Sequence, residues 1–171
     1  MHVNYEEIMM RHKRLCLHAA CVDTSYGGIL FSGPSGIGKS TQAKNWCKYR
    51  EAIEVNGDRP ILSKDGKVWK AWGSPYAGSS KCHKNISCSV KAIVILKQSE
   101  DCSLRKMSDL EAFRAVWAGV TVHSWDKKYM EAACDMVMEL IKMIPVFELC
   151  CTPDEQAVNC LETELRKECY K

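Results

Sequence analysis

We predict an α/β fold for this chain, with a mixed β-sheet flanked by helices. Short apolar runs rich in β-branched residues, such as VKAIVILKQ, are typical of buried strands, and they alternate with stretches of helical periodicity. Some of these runs are joined by tight turn sequences, which predict antiparallel hairpins, while others flank a helix, which predicts parallel pairing. Because both kinds of connection are present, the sheet should contain strands of both directions.

Length and composition predict one domain, residues 1–171, and exclude several function classes. The net charge is only +3 and no long Lys/Arg run occurs, so we expect no nucleic-acid partner. No apolar run approaches the ~20 residues that cross a bilayer, and the first residues do not resemble a signal peptide, so we expect no membrane association. The eleven cysteines include no Cys-x-x-Cys pair, which favours a cytoplasmic protein with free thiols.

The amino-terminal part of the chain predicts a strand over residues 15–23, a turn at TSYGG and a second strand, ILFSG. These two strands should form a hairpin that leads into a glycine-rich stretch. KSTQAKNWCKYR then predicts a helix, and AIEV predicts the next strand. PILSKDGKVWKAW predicts a further hairpin about its Lys-Asp-Gly-Lys centre.

The carboxy-terminal part begins with a polar loop over residues 73–89, whose length in a compact domain is typical of functional loops. VKAIVILKQ, SLRKM and IPVFELCC predict strands. Ser108 and Glu111 form a capping-box pattern before one helix, and WDKKYMEAACDMVMELIKM predicts another. Thr152 as the cap and Pro153 at the first position predict the start of the last helix.

A glycine-rich stretch between the second strand and the first long helix fits the pattern G-x-x-x-x-G-K-[ST] without mismatch. It comprises Gly33, Pro34, Ser35, Gly36, Ile37, Gly38, Lys39 and Ser40, and it is followed by Thr41. Backbone N–H groups in such a loop surround phosphate oxygens, and the following helix presents its positive end to the same phosphate. The pattern therefore predicts a nucleotide site in which Lys39 contacts the β- and γ-phosphates and the Ser40 hydroxyl binds Mg²⁺.

Asp58 is the candidate carboxylate for phosphoryl transfer. It directly follows the strand AIEV, and a strand–loop–helix–strand unit of this length brings the end of its second strand beside the phosphate loop. Phosphoryl transfer needs a carboxylate that holds Mg²⁺ and a group that orients or deprotonates the acceptor. The alternative is that Asp58 is only a turn residue of NGDR.

The stretch LHAACVDTSYGGILFSGPSGIGKS, together with EVNGDR, resembles the catalytic domain of bacterial HPr kinase/phosphorylase. The resemblance covers residues 15–60, about a quarter of the chain. Further features, WGSPYAGSS and PVFELCCTPDEQAV, resemble smaller HPr-kinase-like proteins. The resemblance implies a P-loop kinase fold of the type shared with phosphoenolpyruvate carboxykinase, with ATP and Mg²⁺ as cofactors and His18, Lys39 and Asp58 in the site. HPr kinases form hexamers, so a homo-oligomer stays open.

The chain departs from the family at one important position. Gly57 stands where the family has the first Asp of an acidic pair, so only Asp58 remains. The loop implicated in phosphorolysis is not recognisable, and we expect no phosphorylase activity.

Several other residues have alternative interpretations that the sequence leaves open. His18 contacts the catalytic carboxylate or a phosphate, or else it is a buried core histidine, and Arg59 pairs with phosphate or with a neighbouring acid. The loop over residues 73–89 offers cations and hydroxyls near the acceptor: Ser79, Ser80, Lys81 and Lys84. Arg105 and Arg114 are the candidates for a cationic finger.

Together these features predict a kinase that transfers the γ-phosphate of ATP to a hydroxyl of a peptide, a protein serine or a small molecule. The alternative is a regulatory protein that binds ATP without turnover, which the Gly57 substitution favours. Simple hydrolysis lacks support, because AIVIL is followed by Lys97 and Gln98 and not by an acidic pair.

Overall fold

The computed structural model describes residues 5–82, 84–122 and 126–169. A short 3₁₀ turn, Gly78–Ser80, lies in the long loop between the sixth and seventh strands. The helices and strands, in chain order, are α1 (Tyr5–Arg11), β1 (Arg14–Cys16), β2 (Ala19–Thr24), β3 (Gly27–Ser32), α2 (Lys39–Arg50), β4 (Ile53–Asn56), β5 (Ile61–Asp65), β6 (Val68–Trp72), β7 (Ser87–Gln98), β8 (Ser103–Lys106), α3 (Asp109–Trp117), α4 (Lys127–Met143), β9 (Val146–Cys151) and α5 (Glu155–Cys169).

The strands form one mixed sheet, which confirms the predicted α/β class with parallel and antiparallel pairs. The main path of the sheet is β1-β5-β6-β7-β3-β2-β4, and β9 pairs with both β7 and β8. The hairpins β2–β3 and β5–β6 are antiparallel, as predicted from their turn sequences. The helix predicted after the glycine-rich stretch is α2, with the predicted bounds.

The long strand β7 organises the sheet because its two halves have different partners. Its first residues pair with β6 in antiparallel register, and its later residues pair with β9 in parallel register. Its other edge pairs with β3, also in parallel. The carboxyl ends of β3, β7 and β9 therefore meet at one edge of the sheet, where α/β proteins commonly bind ligands.

Both faces of the central strands are covered by helices. On one face Phe31 packs in a cluster with Trp46 of α2 and Leu161 of α5. On the other face Leu30 packs in a cluster with Val137 of α4. Successive side chains of a strand point to opposite faces, so β3 is buried on both sides, which explains its uninterrupted apolar sequence. The start of α2 is held firmly at the sheet edge by this packing.

The prediction of one strand over residues 15–23 is wrong, because the chain changes partners in the middle. The Leu17 backbone N–H donates to the Pro60 carbonyl (3.3 Å), and the His18 N–H donates to the Gly119 carbonyl (2.7 Å). Strand β1 pairs with β5, whereas β2 pairs with β3 and β4. The break places His18 between two strands, and its side chain is only partly buried.

The predicted cap of the last helix is also wrong. Helix α5 begins at Glu155, and the Oδ1 atom of Asp154 accepts a hydrogen bond from the backbone N–H of Gln156 (2.9 Å). The Thr152 hydroxyl donates to the other Asp154 oxygen (2.6 Å), so Thr152 supports the cap and does not provide it. Thr152 and Pro153 consequently stay outside the helix and form part of the sheet edge.

Two further helix starts have clear caps. In α3, the Glu111 carboxylate accepts the backbone N–H of Ser108 (3.0 Å), as the predicted capping box requires. Helix α4 is capped by Asp126, which accepts from Lys128 (2.9 Å). Trp125, predicted as the first residue of that segment, lies outside the described residues. Among the helices that the structure describes, none has the length and apolar character needed to span a membrane.

Candidate functional site

The glycine loop, residues 33–40, connects the end of β3 to the start of α2. Gly36 and Gly38 have φ angles of 79° and 111°, in the region that L side chains rarely adopt. A Cβ atom at either position would meet no described atom within 4 Å. Backbone conformation, and not lack of space, therefore requires glycine at these two positions.

Lys39 is the first residue of α2 and is nearly buried, with 8% of its surface exposed. Its ammonium donates to the carbonyls of Gly33 (3.0 Å) and Pro34 (2.9 Å), which use two of its three donors. Burial lowers the pKa of Lys39, and the negative charge of Asp58 partly opposes that shift. The ammonium is thus held against the inner side of the glycine loop, within the field of the Asp58 carboxylate.

Asp58 lies between a histidine and an arginine. Its Oδ1 atom is 3.4 Å from Nε2 of His18, and its Oδ2 atom is 3.6 Å from Nε of Arg59. Arg59 also donates to the Thr121 hydroxyl (2.8 Å), which fixes its direction. The pKa of His18 is lowered, first by burial and then by the positive charge of Lys39, with Asp58 opposing both. His18 is therefore neutral at pH 7.

Asn56, which the sequence analysis did not select, fixes the backbone of Asp58. It is fully buried, and its Oδ1 atom accepts the N–H groups of Asp58 (3.1 Å) and Arg59 (2.8 Å). Its Nδ2 atom donates to the carbonyls of Ser74 and Tyr76, both at 3.0 Å. One amide thus joins the turn that carries Asp58 to the long loop. The only sequence signal was that Asn in NGDR favours turns, which does not reveal the second pair of bonds.

The long loop between β6 and β7 packs directly on the turn that carries Asp58. The backbone N–H of Gly57 donates to the carbonyl of Cys82 (3.3 Å). A Cβ atom at Gly57 would lie 1.6 Å from Oγ of Ser80, and one at Gly78 would lie 2.8 Å from Cβ of Asp58. The space for a side chain at position 57 is therefore occupied by Ser80. The Ser80 hydroxyl donates to the Ala77 carbonyl (3.0 Å).

Two cavities flank the glycine loop. The first, which we name the Asp58 cavity, has a volume of about 420 Å³. Its walls bring together six residues that the sequence analysis selected for the nucleotide or catalytic site: His18, Ser35, Lys39, Ser40, Thr41 and Asp58. The second, which we name the Gln42 cleft, has a volume of about 510 Å³ and lies at the ends of β7 and β9. It is lined by residues that include Ile37, Thr41, Gln42, Leu96, Cys151 and Pro153.

The other predicted cations do not line either cavity. Arg105 lies on β8, where it pairs with Glu111 (2.9 Å) and with Glu148 (2.8 Å), and these bonds raise its pKa. The bond from Arg105, together with the bonds from Ser108, lowers the pKa of Glu111 to about 2. Arg114, Lys81 and Lys84 are also absent from the described walls of both cavities. The side chain of Ser79 lies outside what the structure describes.

Comparison with known proteins shows which known fold this chain resembles. No protein-family model and no curated protein matches the chain. Among solved structures, that of the HPr(Ser) kinase/phosphatase from Coxiella burnetii is similar, with a TM-score of 0.50 and 15% sequence identity. The match covers 90% of this chain and 95% of that chain. The relationship is one of fold. It extends far beyond residues 15–60, from which most of the sequence resemblance came.

Proposed function

We propose that this protein is a P-loop kinase that transfers the γ-phosphate of ATP to a hydroxyl acceptor. The observation that carries the proposal is the Asp58 cavity, in which the glycine loop, Lys39, Ser40 and a partly buried carboxylate meet. Phosphoryl transfer needs these same parts: donors around the phosphates, a cation, a metal-binding oxygen and a group that orients the acceptor. The fold similarity to an HPr(Ser) kinase/phosphatase supports the same reaction class.

The oxygen atoms in the cavity fit magnesium. Mg²⁺ prefers carboxylate and hydroxyl oxygens together with phosphate and water, and Ser40 and Asp58 line one cavity of suitable chemistry. We propose that these two residues would hold the ion, which would supply positive charge to offset that of the phosphates. No described group of three or more His, Cys, Asp or Glu side chains forms an all-protein metal site.

Each residue would then have a definite role in the transfer. The Lys39 ammonium would exchange its bonds to the Gly33 and Pro34 carbonyls for bonds to phosphate oxygens. Asp58 would orient the acceptor hydroxyl and take its proton as the acceptor oxygen bonds to the γ-phosphorus. The bond from that phosphorus to the bridging oxygen breaks, and its electron pair leaves on ADP. Neutral His18 and charged Arg59 would keep the Asp58 carboxylate in place.

A second candidate is a regulatory protein that binds ATP without turnover. One observation favours it: Ser80 fills the space that a second carboxylate at position 57 would need. A site with one acid must use Asp58 for both the metal and the proton. If one carboxylate cannot serve both, nucleotide would bind and chemistry would not follow.

The test is magnesium-dependent transfer of ³²P from the γ-position of ATP. Candidate acceptors are serine, small polyols, HPr and a cell lysate. We expect transfer by the wild type and a loss of at least about 100-fold with Lys39→Met, which keeps the length of the buried side chain and removes its charge. Lys44→Met is the matched control, since Lys44 is exposed on the same helix. ATP binding by the wild type without transfer to any acceptor would reject the kinase and favour the regulatory protein.

A further inference from the structure

The position of the Gln42 cleft relative to the Asp58 cavity indicates which part of a nucleotide the cleft would hold. The two cavities share Gly36, Gly38 and Thr41, so both are continuous with the glycine loop. The Asp58 cavity lies on the side of β2 and β4, and the cleft lies on the side of β7 and β9. In the sheet, β3 stands between these two pairs of strands. The glycine loop, which continues β3, therefore separates the two cavities.

This arrangement fixes the direction of a bound nucleoside triphosphate. If the γ-phosphate lies beside Asp58, the phosphate chain crosses the glycine loop away from that residue, and the nucleoside emerges on the other side. The Gln42 cleft is there, and its volume of about 510 Å³ is in the usual range for ligand sites. Apolar side chains of Ile37, Leu96 and Pro153 contribute to its walls, which suits the flat faces of a base.

Gln42 is the unusual residue of the cleft. It is 98% buried, with 2% of its surface exposed, yet its Oε1 atom has no hydrogen-bond partner among the described residues. In the part of the chain that the structure describes, its Nε2 atom donates only to the Cys151 sulfur (3.4 Å), which is a weak acceptor. A buried carbonyl oxygen without a donor is costly, and buried polar atoms are rarely left this way. One wall of the cleft therefore contains a side chain, Gln42, whose carbonyl oxygen has no hydrogen-bond donor among the described residues.

We propose that the Gln42 cleft binds the base of the nucleotide and that the Gln42 carbonyl accepts a hydrogen bond from the exocyclic amine of adenine. The inference rests on the proposed function, because the direction argument needs the γ-phosphate at Asp58. The terminal amide torsion of glutamine is broad, so the oxygen turns to the ligand without moving the buried stem. With adenine the amide keeps its Nε2 bond to the Cys151 sulfur. Guanine carries an oxygen where adenine carries this amine, so the amide must either face that oxygen with its own carbonyl or turn over and give up the bond to Cys151. The cleft consequently selects ATP over GTP.

The test compares ligands and variants by their dissociation constants in the presence of Mg²⁺. The ligands are ATP, GTP, purine riboside triphosphate, which lacks the 6-amine, and tripolyphosphate. We expect the wild type to bind ATP about tenfold more tightly than GTP and than purine riboside triphosphate, as for one buried hydrogen bond. In Gln42→Met, which preserves length and volume, this preference should disappear while tripolyphosphate binds as before.

Gln156→Met is the matched control, because Gln156 is exposed on α5 and does not line the cleft. It should keep the wild-type preference for ATP. Equal binding of ATP and purine riboside triphosphate by the wild type, or an ATP preference retained by Gln42→Met, overturns the inference and leaves the phosphate site intact. The ligand comparison on the wild type decides the matter even if Gln42→Met does not fold. Failure of every ligand, tripolyphosphate included, overturns the proposed function and this inference together.

Discussion

The two sides of the glycine loop are built in opposite ways. On one side, Asp58 is held by its neighbours: Asn56 bonds its backbone, and His18 and Arg59 contact its two oxygens. On the other side, Gln42 is more deeply buried than Asp58, and its carbonyl contacts no described donor. A group that must keep its position benefits from bonds formed in advance, because nothing is lost to reorganisation when the ligand arrives. A group that distinguishes between ligands benefits from a bond that only the correct ligand completes.

Asn56→Ala should disturb the Asp58 side most strongly, because four hydrogen bonds of a buried amide disappear at once. We expect the free energy of unfolding to fall by about 2–4 kcal/mol. The transfer rate should fall as the turn that carries Asp58 loses its support. Chemical denaturation and the ³²P assay measure the two effects.

Asn85→Ala is the control for that variant, since Asn85 is an exposed residue of the same loop and should tolerate the change. The preference for ATP over GTP should survive in Asn56→Ala, because Gln42 is on the other side of the glycine loop. A variant that keeps wild-type stability and transfer would show that Asn56 does not support Asp58.

Gly57→Asp tests whether Ser80 excludes an acid at position 57, where HPr kinases have the first Asp of their acidic pair. A Cβ atom at position 57 would lie 1.6 Å from the Ser80 oxygen, so the single variant should lose about 1–3 kcal/mol of stability. Gly57→Asp combined with Ser80→Gly should recover most of that loss, as measured by denaturation. Ser80→Gly alone gives the reference for the pair. Equal stability of the single and double variants would mean that the loop moves aside easily.

Substitution of His18 should have a smaller effect on stability, and this effect should depend on pH. Its pKa is lowered in the folded state by burial and by Lys39, so the unfolded chain binds the proton more readily. The stability that this histidine contributes is therefore present above its ordinary pKa of 6.5 and is lost as the pH falls below that value. The stability of His18→Gln should decrease less than that of the wild type between pH 7.5 and about 5.5.

Denaturation curves at several pH values measure this difference. His12→Gln is the control, because His12 is exposed and does not line the Asp58 cavity. That variant should follow the wild type at each pH. Parallel curves for the wild type and His18→Gln would contradict the lowered pKa.

The sequence could predict the features that depend on local pattern. The glycine spacing, the start of α2 and the two hairpins are encoded within a few residues each, and the structure has them as predicted. The position of Asp58 followed from the geometry of a strand–helix–strand unit. A resemblance restricted mainly to residues 15–60 also predicted the fold type that the structural comparison supports.

The sequence could not predict the features that depend on contacts between distant segments. Ser80 lies 23 residues from Gly57 in sequence and occupies the space beside it. From the sequence alone, Gly57 showed only that a carboxylate is missing at that position. Gln42 is an ordinary helical residue by sequence, and only the folded structure shows that it is buried beside Cys151, at the end of β9. The strand over residues 15–23 breaks because Gly119 and Pro60, both far along the chain, bond its middle.

The most direct test of the proposed transfer site is Asp58→Asn, with Asp101→Asn as the matched control at an exposed position. Transfer of ³²P from ATP and the dissociation constant of ATP are measured on both variants. We expect Asp58→Asn to lose at least about 100-fold in transfer, because the amide cannot take the acceptor proton. Its affinity for ATP should change only a few-fold. Transfer at the wild-type rate by Asp58→Asn would contradict the account, because Asp58 would then have no part in the reaction.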